Sequence, residues 1–238
     1  MALVDYTVDQ HVVLVSLNSG ENRFNPQFLS SFLDVLDDIE SNTTATTMVV
    51  CSAHEKIFSN GIDLEWLVPV LQKGDIGAAK GFFYQLNQTF KRLVTYPLVT
   101  VAAISGHAFA GGAIISCAFD FRFMRSDRGY FCLPEVDLGI PFLPGMNAVL
   151  RSAIPEQTLR CMQLTGQRMT AEECRTHQIV QDACPQEALL ERTLAFAKQI
   201  NKKRATTAEL KARLNKEVVH AIEVEDVSYI ESGQFNIG

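Results

Sequence analysis

VTVAAISGHAFAGGAIISCA, residues Val99 to Ala118, is the stretch of this chain that decides the fold. Glycines interrupt this apolar run at positions 106, 111 and 112, so the pattern predicts a buried strand, a tight turn and a helix. The first N–H groups of a helix have no partner within it and lie at the positive end of its dipole. The pattern therefore predicts a helix start that can receive a group with developing negative charge.

A carboxylate follows in LPEVDLGIP, residues Leu133 to Pro141. Glu135 lies there between a proline and an aliphatic residue, and Asp137 lies two positions later. If the segment is extended, these two side chains point to opposite faces. The two stretches together predict an anion-binding helix start and one acid or base, Glu135.

These stretches resemble the enoyl-CoA hydratase/isomerase (crotonase) superfamily. ISGHAFAGGAIISCAFDFRF, residues 104–123, is similar to the oxyanion-helix signature, and PEVDLGIP, residues 134–141, to the segment that carries the second catalytic carboxylate. FSNGIDLEW, Phe58–Trp66, resembles the first oxyanion loop, and LTGQRMTAEEC, Leu164–Cys174, a downstream helix-turn-helix element. The resemblance covers residues 10–185 and implies an α/β fold, a crotonase-like spiral of ββα repeats with a C-terminal helical region.

The resemblance also implies a site for an acyl-CoA thioester. Two backbone N–H groups would bind the thioester oxygen, and by motif position they are those of Asn60 and Gly111. Further substrate contacts are expected from Arg23, Asn25, Ser59, Gly61, Asp63, Trp66, Gly112 and Ile114.

Structural roles are the alternatives at several of these positions. Arg23 could meet a phosphate of coenzyme A or be a solvated side chain, and Asp63 lies where a helix N-cap is expected. Trp66 could line the acyl pocket or anchor the short helix after Asp63. The Gly111-Gly112 pair could serve close packing of helix on strand, and His107 could face the substrate or be packed in its turn.

One catalytic group of the family is missing. Hydratases use two glutamates, the first of them three residues beyond the oxyanion glycine, where this chain has Ile114. Isoleucine can neither orient nor deprotonate water, which leaves Glu135 as the single base. Apolar surroundings formed by Ile114, Val136 and Leu138 are expected to exclude water and to raise the pKa of Glu135.

This single-glutamate pattern resembles the Δ3,Δ2-enoyl-CoA isomerases. It implies an isomerase of fatty acid oxidation that moves the double bond of 3-enoyl-CoA to 2-enoyl-CoA, with no cofactor beyond the coenzyme A of the substrate. One alternative is an enoyl-CoA hydratase or another crotonase reaction that uses Glu135 or Asp137. A non-catalytic acyl-CoA-binding protein is the other, although the intact Asn60-Gly61, Gly111-Gly112 and Glu135 favour catalysis.

Composition excludes several classes of partner. The 238 residues suit one domain, and the net charge of −6 disfavours a nucleic-acid surface. The six cysteines form no C-x-x-C pair, so no metal site is expected and a reducing compartment fits. Without a leader pattern or a run of 18 apolar residues, the sequence predicts a cytoplasmic protein with no membrane partner.

Periodicity places the main elements. His11–Leu17 and Thr47–Cys51 are predicted strands. Asn25-Pro26 predicts the start of a helix. Its buried stripe is Phe28, Leu29, Phe32, Leu36 and Ile39, and a second helix, ending before Pro97, is marked by Phe82, Phe83, Leu86, Phe90 and Leu93.

The C-terminal part is predicted to be helical. We assign residues 1–190 to the spiral core and 191–238 to a helical oligomerisation region, with one helix starting at Pro185. A second would begin at a capping box, Thr206-x-x-Glu209. It would continue with the apolar stripe Leu210, Leu214, Val218 and Ile222. The resemblance implies a homotrimer or hexamer; the alternative is that this stripe covers only its own core.

Overall fold

The computed structural model describes residues 2–235. Its strands are β1 (Val4–Asp9), β2 (Val12–Leu17), β3 (Thr47–Ser52), β4 (Ile57–Ser59), β5 (Val99–Ile104), β6 (His107–Phe109), β7 (Phe121–Arg125), β8 (Phe131–Cys132), β9 (Arg168–Met169) and β10 (Asp182–Cys184). Its α-helices are α1 (Pro26–Asn42), α2 (Leu64–Gln72), α3 (Ile76–Val94), α4 (Gly111–Cys117), α5 (Glu135–Leu138), α6 (Pro144–Ala153), α7 (Glu156–Thr165), α8 (Ala171–Thr176), α9 (Gln186–Lys198), α10 (Arg204–Leu214), α11 (Lys216–His220) and α12 (Asp226–Ser232). A π-helical turn, Ala221–Glu225, joins α11 to α12.

The strands form two sheets. The larger has the order β1-β2-β3-β5-β7-β10 and the smaller β4-β6-β8-β9. All pairs are parallel except β1 with β2 and β8 with β9. The pairs β3-β4, β5-β6 and β7-β8 each place one strand in the large sheet and the next in the small sheet before entering a helix. This arrangement is the predicted spiral of ββα repeats.

The predicted helix after Asn25-Pro26 is confirmed. The Asn25 side chain accepts a hydrogen bond from the Phe28 N–H, and Pro26 occupies the first turn. All five predicted stripe residues are buried in the core, and the five marking α3 are buried too. Strands β2 and β3 agree with the predicted strands to within one residue at each end.

The segment around Glu135 is helical, not extended. Pro134 precedes the short helix α5, and Gly139 ends it at φ +67°. Glu135 is buried, whereas Val136 and Asp137 are exposed. The premise of an extended segment is therefore wrong, but Asp137 still points away from Glu135, because residues two apart in a helix lie about 200° apart around its axis. The expectation that Val136 shields the glutamate is wrong, since Val136 is exposed.

The C-terminal helices differ from the predicted stripe. The helix predicted after Pro185 is confirmed as α9. The predicted boundary between residues 190 and 191 lies within this helix. The next helix, α10, begins at Arg204, so Thr206 does not cap it. Of the predicted stripe, Leu210 and Leu214 are 63% and 81% exposed, whereas Val218 and Ile222 are buried as predicted. Instead α10 buries Thr207 and Lys211.

Polar contacts explain why α10 buries this face rather than its apolar one. Arg204 donates hydrogen bonds to the carbonyls of Glu40 and Ala45, and Lys211 pairs with Asp120 at 2.8 Å. A capping box is present instead at the start of α8, where Thr170 is the N-cap and Glu173 is the third residue of the helix. The assembly role of residues 191–238 stays a prediction. No helix within residues 2–235 is long and apolar enough to cross a bilayer.

Candidate active site

A largely apolar cavity of about 360 Å³ lies where the spiral meets the C-terminal helices. Four predicted site residues line it together: Asn60, Gly111, Ile114 and Glu135. The rest of its wall comes from Ile62, Leu64, Leu67, Phe83, Leu86, Phe90, Ala110, Leu138, Ile140, Pro141, Phe142, Leu143, Met146, Tyr229, Ser232, Gln234 and Phe235. The apolar wall suits a hydrocarbon chain, and its few polar side chains include Glu135.

Glu135 is the only carboxylate among the lining residues that the structure describes. Its side chain is 6% exposed and its Oε2 atom has no hydrogen-bond partner. Burial raises the pKa of Glu135 to about 7, since loss of water outweighs the stabilising backbone hydrogen bond. A carboxyl of this kind can accept a proton near neutral pH and return it.

The start of α4 presents a free backbone donor to the cavity. Gly111 is the first residue of this helix, and its N–H has no partner among residues 2–235. The preceding Ala110 has a positive φ of +52°, a conformation that alanine rarely adopts, and its N–H donates to the Cys132 carbonyl. Strain at this junction marks the turn that delivers the Gly111 N–H.

The second predicted donor requires correction. The Asn60 N–H donates to the Glu21 carbonyl at 3.1 Å, and the Asn60 side chain donates to the Glu21 carboxylate at 3.0 Å. This N–H is therefore already paired, although Asn60 does line the cavity. The N–H of Ile62, two residues later, has no hydrogen-bond partner among the described residues. The β-bridge to Phe24 is formed by the Gly61 carbonyl and the Asp63 N–H, so it does not use the Ile62 N–H.

Ile62 also lies beside Gly111. A Cβ placed on Gly111 would be 3.3 Å from the Ile62 nitrogen. Two unpaired N–H groups from separate elements thus meet at the cavity, which is the arrangement an oxyanion requires. The sequence carried a signal for this: Gly61, at φ +74°, turns the chain so that the following N–H comes next to Gly111.

Close packing explains three further predicted residues. A Cβ on Gly61 would come within 2.4 Å of the Gly111 nitrogen, and one on Gly112 within 2.1 Å of the Ser59 carbonyl oxygen. The Ser59 hydroxyl donates to the Asn22 carbonyl and accepts from the Gly61 N–H. None of the three lines the cavity, so their part in the site is to hold the two donor segments together.

Four other predicted contacts also lie outside the cavity wall. Asn25 and Asp63 cap α1 and α2, and their side chains share a hydrogen bond of 3.0 Å. Trp66 packs on Phe82, with 5.2 Å between ring centroids, which fits the anchoring alternative. Arg23 forms ion pairs with Glu21 and with exposed Glu65, so two carboxylates neutralise it.

His107 is packed between aromatic rings, as its structural alternative predicted. Its ring lies 5.0 Å from that of Phe109 and 5.8 Å from that of Tyr130. Burial, with Arg168 and Arg128 nearby, lowers the pKa of His107. It does not line the cavity.

Sequence reasoning missed the C-terminal part of the cavity wall. Tyr229, Ser232 and Phe235 line the cavity from α12 and the residue stretch after it. No motif marks them, because their role depends on how α12 folds back onto α3, whose sequence lies more than a hundred residues earlier.

Comparisons with known proteins point to one family. The enoyl-CoA hydratase/isomerase family profile matches residues 7–236. Enoyl-CoA delta isomerase 2, peroxisomal, of Arabidopsis thaliana is 34% identical over 166 residues, 68% of each chain. A putative enoyl-CoA hydratase of Thermus thermophilus is 33% identical over 219 residues, 89% of this chain and 81% of that protein.

A solved structure shows the same fold. Human mitochondrial delta3-delta2-enoyl-CoA isomerase superposes with a TM-score of 0.80 at 21% identity, covering 97% of this chain and 95% of that one. The fold, the family profile and the relatives agree. The chain belongs to the enoyl-CoA hydratase/isomerase family.

Proposed function

We propose that this protein is an enoyl-CoA delta isomerase that moves the double bond of a 3-enoyl-CoA to position 2. The observation that carries the proposal is the cavity with one carboxylate, Glu135, and with buried Ile114 at the position of the second family glutamate. Nothing else on the described cavity wall can act as a strong base at neutral pH. The first of the relatives above is named an isomerase, which supports the same activity.

The mechanism uses one proton and two hydrogen-bond donors. The Glu135 carboxylate removes a proton from C2 of the thioester, and the electron pair of that C–H bond delocalises over the thioester oxygen, C2 and C4. The N–H groups of Ile62 and Gly111 stabilise the negative oxygen of this dienolate. The protonated Glu135 then returns the proton to C4, which leaves the double bond between C2 and C3.

The apolar wall favours isomerisation over hydration. Ile114 is buried against the cavity and cannot orient water for attack at C3. The same burial that excludes water keeps the pKa of Glu135 close to neutrality, which suits a group that both takes and gives a proton. Transfer of one proton needs no cofactor beyond the coenzyme A of the substrate.

The alternative of hydration rests on the relative named as a putative hydratase. One experiment separates the two: the protein is incubated with a 3-enoyl-CoA and, separately, with a 2-enoyl-CoA, and the products are resolved by chromatography. We expect 2-enoyl-CoA from the first and little 3-hydroxyacyl-CoA from the second.

Substitution of the base tests the role of Glu135. Glu135→Gln keeps the shape of the side chain but cannot accept the proton, so isomerisation should fall by at least about 10³-fold while acyl-CoA still binds. Asp137→Asn, at the exposed carboxylate of the same short helix, is the matched control and should be close to native. Full activity of Glu135→Gln, or efficient hydration by the native protein, would contradict the proposal.

A further inference from the structure

The C-terminal segment, residues 226–235, closes one side of the cavity. Tyr229, Ser232 and Phe235 contribute to its wall. The Phe235 ring stacks on that of Phe83 in α3, with 4.6 Å between centroids and 17° between planes. The size of the cavity therefore depends on where this segment rests.

A buried carboxylate fixes the start of the segment. Asp226, the first residue of α12, has no solvent-exposed surface. Its Oδ2 accepts a hydrogen bond from the Asn87 side chain in α3, and its Oδ1 accepts one from the Gly145 N–H in α6, both at 2.8 Å. One side chain thus joins three elements that are far apart in sequence.

Each of these three elements contributes to the cavity wall next to the contact. Leu86 precedes Asn87, Met146 follows Gly145, and Tyr229 lies one helical turn after Asp226. A shift at the carboxylate would therefore move three parts of the wall. The contact is also tight, since a Cβ on Gly145 would come within 2.5 Å of Asp226 Oδ2.

Packing alone does not explain a carboxylate at this place. Burial raises the pKa of Asp226 to about 6, because the two donated hydrogen bonds offset only part of the loss of water. The other polar ties of the segment to α3, from Lys80 and Tyr84 to Glu231, are exposed and contribute little. The interior contact is the one that can set the position of the segment.

We propose that Asp226 is a positioning residue, which holds the C-terminal segment against α3 and α6 and thereby selects acyl chains by length. The proposal rests on the proposed function, in that the cavity holds the acyl chain of a thioester substrate. A short chain ends near Glu135, whereas a longer one reaches the wall that Asp226 positions.

The test measures binding of two saturated thioesters, butyryl-CoA and decanoyl-CoA, by isothermal titration calorimetry. Asp226→Ala leaves the two donors unpaired and loosens the wall, so we expect the affinity for decanoyl-CoA to change by about tenfold or more relative to that for butyryl-CoA. Gly145→Ala keeps the carboxylate but presses a methyl group on its Oδ2 and on Ile222 Cγ1, so it should alter the same ratio.

Two further variants separate positioning from general destabilisation. Asp226→Asn should keep the wild-type ratio. The buried Asn87 Oδ1 has no hydrogen-bond partner, and after a flip of the Asn87 amide it can accept a hydrogen bond from the new amide at position 226. Glu231→Ala removes the exposed ties of the same segment and should also leave the ratio unchanged.

An unchanged chain-length ratio in both Asp226→Ala and Gly145→Ala would overturn the proposal, as would an equal loss of affinity for the two thioesters. Because the readout is binding, it is independent of turnover. If wild-type protein binds both thioesters but does not isomerise a 3-enoyl-CoA, the proposed function is contradicted. The effect of Asp226 on the chain-length ratio can still be measured in that case. Wild-type protein that binds neither thioester would overturn both.

Discussion

At the scale of single residues, the site depends on one carboxyl group kept in an environment that disfavours its charge. Glu135 is buried, and its Oε2 has no hydrogen-bond partner. Such an arrangement lowers the stability of the folded protein and supplies a base poised near neutral pH. Both effects follow from the same raised pKa, so both can be measured.

The pH dependence of activity should report the pKa of Glu135. The carboxylate must be ionised to remove the C2 proton, and its pKa is raised to about 7 by burial. We therefore expect kcat/KM for a 3-enoyl-CoA to fall about tenfold per pH unit below that value and to level off above it. Initial rates at low substrate concentration between pH 5 and pH 9 measure this. A profile flat down to pH 5 would rule out a base with a raised pKa.

The same shift predicts how stability responds to pH. A carboxyl whose pKa is raised in the folded state binds its proton more tightly there than in the unfolded chain. The stabilisation from this proton is therefore lost as the pH rises from 4.5, the ordinary pKa of a glutamate, through about 7. Glu135→Gln has no titrating group at this position, so it does not lose stability in this way. The free energy of unfolding of Glu135→Gln minus that of wild type should therefore increase by on the order of 3 kcal/mol between pH 4 and pH 8. Urea denaturation at both pH values measures it, and a gain independent of pH would contradict the shift.

At the scale of elements, the site forms where the start of α4 meets the loop between β4 and α2. Neither element carries both donors of the proposed oxyanion site: Gly111 provides one unpaired N–H and Ile62 the other. Their approach depends on residues without side chains, since a Cβ on Gly111 would lie 3.0 Å from the Gly61 Cα and 3.1 Å from Phe24 Cε2. In the proposed mechanism, the contact between the two elements is thus a condition for catalysis.

Gly111→Ala should separate these elements. The added methyl group presses on Gly61 and crowds the Ile62 N–H, so we expect kcat/KM to fall by about 10²-fold or more. Gly81→Ala in α3 is the control, because a Cβ there meets no atom within 4 Å. It should keep full activity and stabilise α3 by roughly 0.5–1 kcal/mol. A folded Gly111→Ala protein with native turnover would show that the thioester does not bind at this junction.

At the scale of the whole molecule, the C-terminal helices are held on the spiral by polar contacts as well as by apolar packing. Lys211 of α10 is buried and donates to the carboxylate of Asp120 and to the Leu98 carbonyl. Asp120 in turn accepts hydrogen bonds from the N–H and hydroxyl of Thr100 in β5. This network joins α10 to the central part of the large sheet.

Removal of the lysine should destabilise the whole protein. Lys211→Met keeps most of the side-chain length but leaves the half-buried Asp120 carboxylate without its cation, which should lower the free energy of unfolding by about 2 kcal/mol. Lys216→Met, at an exposed lysine of α11, should change stability by less than about 0.5 kcal/mol. Urea denaturation of both variants measures the difference. Equal stability of the two would show that the pair contributes nothing to holding α10.

Much of the fold could be predicted from the sequence, because local patterns decide it. The spacing of Phe28, Leu29, Phe32, Leu36 and Ile39 requires one buried helical face, and Asn25-Pro26 sets where that helix begins. The glycines in the Val99–Ala118 stretch fixed the order of strand, turn and helix. Isoleucine at position 114 already indicated that one family glutamate is absent, since a residue type is known without any coordinates.

Only the tertiary structure decided which backbone donors are free and what closes the cavity. The Asn60 N–H donates to the carbonyl of Glu21, 39 residues earlier in the chain. This leaves the Ile62 N–H as the available donor. The face that α10 buries follows from partners at Glu40, Ala45 and Asp120 rather than from its own apolar stripe. The wall provided by Tyr229 and Phe235 depends on α12 folding back onto α3. Periodicity records which side chains one element buries, but hydrogen-bond pairing and cavity shape arise between residues distant in sequence, so no local pattern encodes them.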